Sequence, residues 1–224
     1  MPLNAKHLVA SVIPIILVVL ARAGAGADRA APVSYKEFNL SGIRLQQAGN
    51  LQEAAEQYRK AIHLNPAAAS SHNNLAVVLK DLNQLTESEQ EARAAIALKP
   101  KRGDYHYNLG IILQKEDKLE QAQAEFRGAI RIDGLDVESR FRLAQVLLKR
   151  GELSDAEQEI KVALLLKPNE PSYHSLLGDI FMQQGHREED ALNEYRKVEE
   201  FDPGAISADL RNKIDYLKQT LKTR

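Results

Sequence analysis

Three histidines are the residues of this sequence best placed to do chemistry. His72 and His106 stand 34 residues apart, and His174 lies two further steps of that length along the chain. Imidazole is a common ligand for zinc and a general acid or base near neutral pH, so a histidine that returns in register invites a metal or hydrolytic reading. That reading needs partners at matching spacing, and none accompany it. The sequence contains no His-Glu-x-x-His, no Gly-x-Ser-x-Gly and no glycine-rich phosphate loop. Equivalent side chains on units packed side by side sit about 10 Å apart, too far for three imidazoles to share one ion. With no cysteine in the chain, thiolate nucleophiles, cysteine-bound zinc and disulfides are excluded. The histidines are therefore expected to pack. Neither catalysis nor a metal site is expected, and no cofactor is implied.

Something must carry those histidines at a constant interval, and residues 54–66, AAEQYRKAIHLNP, show what it is. With Ala54, Tyr58, Ala61 and Pro66 at positions 20, 24, 27 and 32 of a unit that begins at Tyr35, each later unit begins 34 residues further on. Position 8 then reads Gly42, Ala76, Gly110, Ala144 and Gly178, and position 27 reads Ala61, Ala95, Ala129, Ala163 and, after one inserted residue, Val198. The three histidines occupy position 4.

A 34-residue period with helical spacing inside it resembles the tetratricopeptide repeat, whose pattern is Trp-x2-Leu-Gly-x2-Tyr followed by Ala, Phe, Ala and Pro. The resemblance covers five units, 35–68, 69–102, 103–136, 137–170 and 171–204, with a last helix over 205–224. It implies an all-α fold, a right-handed superhelical α-solenoid of helix-turn-helix repeats with a concave inner face. The residues give the same answer physically. Small residues at positions 8 and 20 let two helices approach, and Leu75, Leu109, Leu143 and Leu177 with Leu79, Leu113, Leu147 and Phe181 fill the space beside them. In the last helix Ile206, Leu210, Ile214, Leu217 and Leu221 form one apolar stripe, which suits a solvating cap.

Departures from the pattern carry expectations of their own. Ser88 and Ala92 at positions 20 and 24 predict a more thinly packed second helix in the second unit. Asp133-Gly134 in place of proline predicts a softer joint before the fourth. The fifth has one extra residue between Gly185 and Ala191, which predicts a longer turn over 186–190. A sequon, Asn39-Leu40-Ser41, falls inside the first helix, where a glycan is awkward.

Residues 1–34 stand outside the repeats. Lys6 and His7 precede an apolar run over 8–20, and Ala25-Gly26-Ala27 matches a signal-peptidase site. A signal peptide over 1–27 and a short linker over 28–34 are expected, which makes the protein exported, periplasmic or secreted. The alternative is an uncleaved N-terminal membrane anchor. Cleavage would turn the net charge from −1 to −3, because Lys6 and Arg22 leave and no acid does. A near-neutral chain without a basic stripe is not expected to bind nucleic acid, and the mature chain is expected to have no membrane span.

The resemblance also implies where a partner would lie, because the family binds ligands on positions 2, 5, 6, 9, 12 and 13 of the first helix. In this sequence those positions include Asn73, Tyr107 and Phe141 at 5, Asn74, Asn108 and Arg142 at 6, and Val77, Ile111 and Gln145 at 9. Asparagine inside a helix costs up to about 0.7 kcal/mol against alanine, so its repetition at position 6 asks for a reason. One is that amides at that spacing offer donor and acceptor to about six residues of extended chain. The clamp by which chaperone-binding members hold a C-terminal carboxylate is not matched. Ile43 and Val77 stand at position 9, and Asp104 and Glu138 at position 2 would repel it. The expected function is an exported scaffold that binds protein or peptide partners for envelope or secretory assembly. A membrane-tethered assembly factor and a non-catalytic accessory subunit of an enzyme are the alternatives.

Overall fold

Each 34-residue period resolves into two helices because the same place in every period is a break. At position 15 stand Gly49, Asn83, Asp117, Gly151 and Gly185, with φ of 82°, 62°, 61°, 76° and 69°. Glycine reaches this left-handed region without a Cβ clash, and Asn and Asp tolerate it better than other residues. The first helix of each pair stops there.

The computed structural model describes residues 34–223; the expected signal peptide and its cleavage site lie outside them. Five helix pairs follow in order: α1 (Tyr35–Gln47) with α2 (Leu51–Leu64), α3 (Ala69–Asp81) with α4 (Leu85–Leu98), α5 (Gly103–Lys115) with α6 (Leu119–Ile132), α7 (Val137–Arg150) with α8 (Leu153–Leu166), and α9 (Pro171–Gln184) with α10 (Glu188–Phe201). A 3-10 turn, Pro203–Ala205, leads into α11 (Ala208–Lys222). No strand occurs among the described residues. Each helix packs on the next, and each odd-numbered helix from α1 to α7 also touches the following odd one. The odd set therefore lies on the inside of the array, and the fold is an all-α helical repeat solenoid.

Packing inside a pair is set by what faces position 8. A methyl group on Gly42 would sit 2.6 Å from Tyr58 Cε1, and one on Gly110 would sit 2.6 Å from Phe126 Cε1. Gly178 lies closer still under the Tyr195 ring. Where position 8 is alanine, at Ala76 and Ala144, the facing residue is not aromatic but Ala92 or Ile160. Glycine here makes room for a ring rather than simply for the other backbone. Ser88 is fully buried and its hydroxyl donates to the Ala76 carbonyl at 2.6 Å, so the second pair replaces the missing ring with a hydrogen bond.

Both ends of the array are blunted. Val78, Ile112, Val146 and Ile180, at position 10, are fully buried. Their counterpart in α1 is the exposed Arg44, and the leucines of position 7 are matched there by Ser41. At the other end Leu210, Ile214 and Leu217 bury the stripe of α11 against the core, and Arg211, Asn212, Asp215 and Lys218 face water. Ser207 starts that helix by accepting from the Leu210 N–H at 3.1 Å.

The joint before α7 is not softened by the loss of proline. Asp133 accepts from the Leu135 N–H at 3.0 Å, Asp136 caps α7 through the Ser139 N–H at 3.0 Å, and Arg140 donates to the Gly134 carbonyl at 2.9 Å. The extra residue of the fifth pair falls in the turn at Gly185, His186 and Arg187, where His186 also takes a left-handed φ of 56°. Arg187 holds that turn. Its guanidinium lies 3.8 Å from the centroid of the Phe181 ring and donates to Glu157 at 3.0 Å and to Asp190 at 2.7 Å.

Candidate functional site

The histidines of position 4 are built into the joints between pairs. His106 donates from Nε2 to the Pro100 carbonyl at 3.1 Å, and its Nδ1 meets Glu125 Oε2 at 2.7 Å. His72 makes the same two contacts with Pro66 and Glu91, at 3.0 and 2.5 Å, and His174 with Pro168 and Glu194, at 2.8 and 2.6 Å. In the fourth pair Arg140 does both jobs, reaching Glu159 at 2.7 Å and the Gly134 carbonyl at 2.9 Å. A residue that donates to both a carbonyl and a carboxylate must offer two N–H groups in opposite directions, which a protonated histidine ring and a guanidinium can do. Each ring has its own glutamate, and among the described residues no group of three or more His, Asp and Glu could hold a metal ion. These side chains are clasps.

Charges along the even-numbered helices also tie the array rather than merely solvating it. Arg59 reaches Glu87 at 2.8 Å, Arg93 reaches Gln121 at 2.9 Å, and Arg127 reaches Asp155 at 3.4 Å, each across one repeat. Glu87, Glu89 and Glu91 are all engaged: Glu89 holds Lys118 at 2.6 Å and Arg93 at 2.7 Å. The hydrogen bond from Lys118 is the main cause that holds the Glu89 carboxyl below the usual carboxylate range.

The nine inner-face residues lie on α3, α5 and α7, consecutive helices on the inside of the array. Eight of them, Asn74, Val77, Tyr107, Asn108, Ile111, Phe141, Arg142 and Gln145, are part-exposed, while Asn73 is buried at 8% exposure. The structure brings the asparagines together. Asn74 donates to Asn39 at 3.3 Å, and Asn108 donates to Asn73 at 2.9 Å, so each amide of position 6 bonds one of position 5 in the preceding pair. Mid-helix asparagine thus has a structural use, and each amide keeps a carbonyl oxygen and a second N–H for another partner. Asn39 also accepts from Ser71 at 3.0 Å, so the sequon residue is occupied inside the fold.

Arg142 ends this ladder differently. Among the described residues its only hydrogen bond is to Gln145, at 3.2 Å, its Nε is buried without an acceptor, and the guanidinium lies 5.8 Å from the Phe141 ring. Phe141 in turn stacks on Tyr173 at 4.8 Å. The two acids of position 2 are spoken for: Asp104 bonds Arg102 at 2.7 Å, and Glu138 accepts from Lys167 and from the Tyr173 hydroxyl, both at 3.0 Å. The Lys167 hydrogen bond chiefly keeps the Glu138 carboxyl below its ordinary range. Lys149, one turn beyond Gln145 on α7, is paired with Asp117 at 2.6 Å. The clasp glutamates went unread in the sequence, although Glu91, Glu125 and Glu159 each follow position 4 by 19 residues, a signal as regular as the histidines.

Comparison with known proteins places this geometry. Models of the tetratricopeptide repeat match residues 44–83, 69–102 and 113–180. No curated protein matches the chain. Among solved structures, MamA from Desulfovibrio magneticus RS-1 is similar at a TM-score of 0.71 and 17% identity, over 77% of this chain and 97% of that one. PilF of Pseudomonas aeruginosa is similar at 0.70 and 22%, over 84% and 90%. YrrB, described as a tetratricopeptide-repeat protein with an unusual peptide-binding site, is similar at 0.66 and 20%, over 84% and 91%. At these identities the likeness is one of fold. With the repeat models matching across most of an array of paired helices, the chain is a tetratricopeptide-repeat protein.

Proposed function

We propose that this chain is an exported, non-catalytic scaffold that holds an extended segment of a protein partner along α3, α5 and α7, in the service of envelope or secretory assembly. That tetratricopeptide arrays serve as protein-interaction scaffolds is the general ground, and YrrB's peptide-binding site supports a peptide reading. The observation that carries it is Arg142, a part-exposed cation whose one hydrogen bond among the described residues goes to neutral Gln145 and whose charge acts on neighbouring Glu138, beside part-exposed Phe141, Tyr107 and Ile111. A carboxylate or carbonyl brought by a partner would bond the terminal N–H groups of this guanidinium, which among the described residues meet only Gln145. No described helix is long and apolar enough to cross a membrane, and the expected leader supports export. If residues 1–27 are retained as an anchor, the same scaffold is tethered; N-terminal sequencing of the protein from its host, reading from Asp28 or from Met1, decides between them.

The test is affinity capture from the exported fraction of the native host, comparing the parent chain with Arg142→Glu and Ile111→Glu variants whose melting is unchanged. Asn74 and Asn108 are poorer probes because their amides also join repeats. A partner lost from both variants supports the inner face. Equal capture by all three chains overturns it.

A further inference from the structure

Five large apolar side chains interrupt the polar surface at one position of the repeat. Leu64, Leu98, Ile132, Leu166 and Phe201, each the last residue of an even-numbered helix, are 52, 41, 41, 40 and 38% exposed. The repeat carries equivalent positions into a row with steps of about 10 Å, and so about 40 Å from end to end. Near its middle stand the two most exposed large apolar residues among those described, Leu165 at 82% and Leu135 at 71%. The row runs beside the inner face, which it meets at the hollow shared by Ile132 and Tyr107.

The charges at its two ends indicate what covers it. At one end Phe38 and Leu64 floor a hollow of about 300 Å³ rimmed by Arg59, Lys60 and His63. At the other end the Phe201 ring lies with one side on the His174 ring, centroids 5.4 Å apart, and its neighbours along the chain, Glu199, Glu200 and Asp202, are exposed. A cation-rimmed apolar hollow and an acid-flanked phenyl ring complement each other, but four repeats separate them in one molecule. We propose that a second copy of this chain docks antiparallel along the row to form a two-fold dimer. The symmetry sets Phe201 of each copy over the Leu64 hollow of the other, and Leu165 and Leu166 over Ala97 and Leu98, large side chains against smaller ones. Ile132 then meets its own counterpart on the axis, with Arg131 of one copy facing Asp133 of the other. A strip about 40 Å long and about 15 Å wide covers about 600 Å² on each copy, the lower end of what stable interfaces bury.

The absence of cysteine makes the test clean. In the full chain, Ile132→Cys alone is expected to give a covalent dimer on mild oxidation faster than a cysteine placed at exposed Arg211 does, because the two-fold axis holds residue 132 of both copies within disulfide reach. Leu165→Glu added to it is expected to lower the cross-linked yield by about tenfold. Glu200→Lys is expected to weaken the dimer in sedimentation, with recovery when Lys60→Glu is added. Any of three results overturns the proposal: an Ile132→Cys cross-link no faster than that of the Arg211→Cys control, a cross-link indifferent to Leu165→Glu, or a polymer ladder from Leu64→Cys/Phe201→Cys where Ile132→Cys stays monomeric, which is head-to-tail assembly.

Discussion

At residue 110 the whole difference between a glycine and an alanine lies against one ring, with the missing methyl 2.6 Å from Phe126 Cε1. Overpacking of this kind costs about 1–3 kcal/mol, so Gly110→Ala is expected to lower the melting temperature, and Phe126→Leu in the same chain to recover part of the loss. A double-mutant cycle by thermal denaturation measures the coupling; additive effects would mean the ring moves aside freely. The clasps give a second residue-scale expectation. Since Arg140 makes the two contacts that His106 makes, His106→Arg should keep the stability of the parent. His106→Leu should lose it by about 1–3 kcal/mol, because the Glu125 carboxylate is left half-buried and unpaired.

Turns decide the outcome at the scale of the element. Asn83 holds a left-handed φ of 62° where three of the other repeats have glycine. Asn83→Ala is expected to destabilise by about 1 kcal/mol and Asn83→Gly to leave stability near the parent's; equal effects of the two would show that the backbone there is not restrained. The extended turn of the fifth pair depends on Glu157 of α8. Burial raises the pKa of that carboxyl, but hydrogen bonds from Lys161, Gln184 and Arg187 outweigh it and hold the value at about 2, against 4.5 for a free glutamate. A depressed carboxylate stabilises the fold above the unfolded value and loses that contribution as pH falls from 4.5 towards 2. Glu157→Gln should therefore melt below the parent at neutral pH, with the gap closing across that acid range. A gap that stays constant with pH would put the effect on packing instead.

The molecule as a whole stands on nearest-neighbour contacts, so its ends matter as much as its middle. Removal of residues 206–224 strips Leu210, Ile214 and Leu217 from the α10 face. The shortened chain is expected to melt earlier and to form larger assemblies than the full chain at the same concentration, as light scattering would show. Removing α1 is expected to have the same effect at the other end, because Tyr58, Leu75, Val78 and Leu79 lose the cover of Ile43 and Leu45. The inner face and the apolar row are two separate surfaces of one array. Variants of Arg142 should change what is captured, and variants of Leu165 should change how many copies assemble.

The sequence by itself determined the array: period, helix pairs, buried leucines and cap follow from spacing, because in a repeat each residue's neighbours are at fixed distances along the chain. It also placed the inner-face residues on consecutive helices. What only the tertiary structure decided is where partners come from different repeats. The asparagines bond one another across 35 residues, the histidines take a carbonyl from the preceding turn and a glutamate from the following helix, and Asp133, Asp136 and Arg140 restore the joint that lost its proline. Position 8 is glycine or alanine according to the ring that faces it. Spacing along a chain fixes which residues share a helix face; whether two polar groups on different helices come within hydrogen-bonding distance depends on how those helices pack.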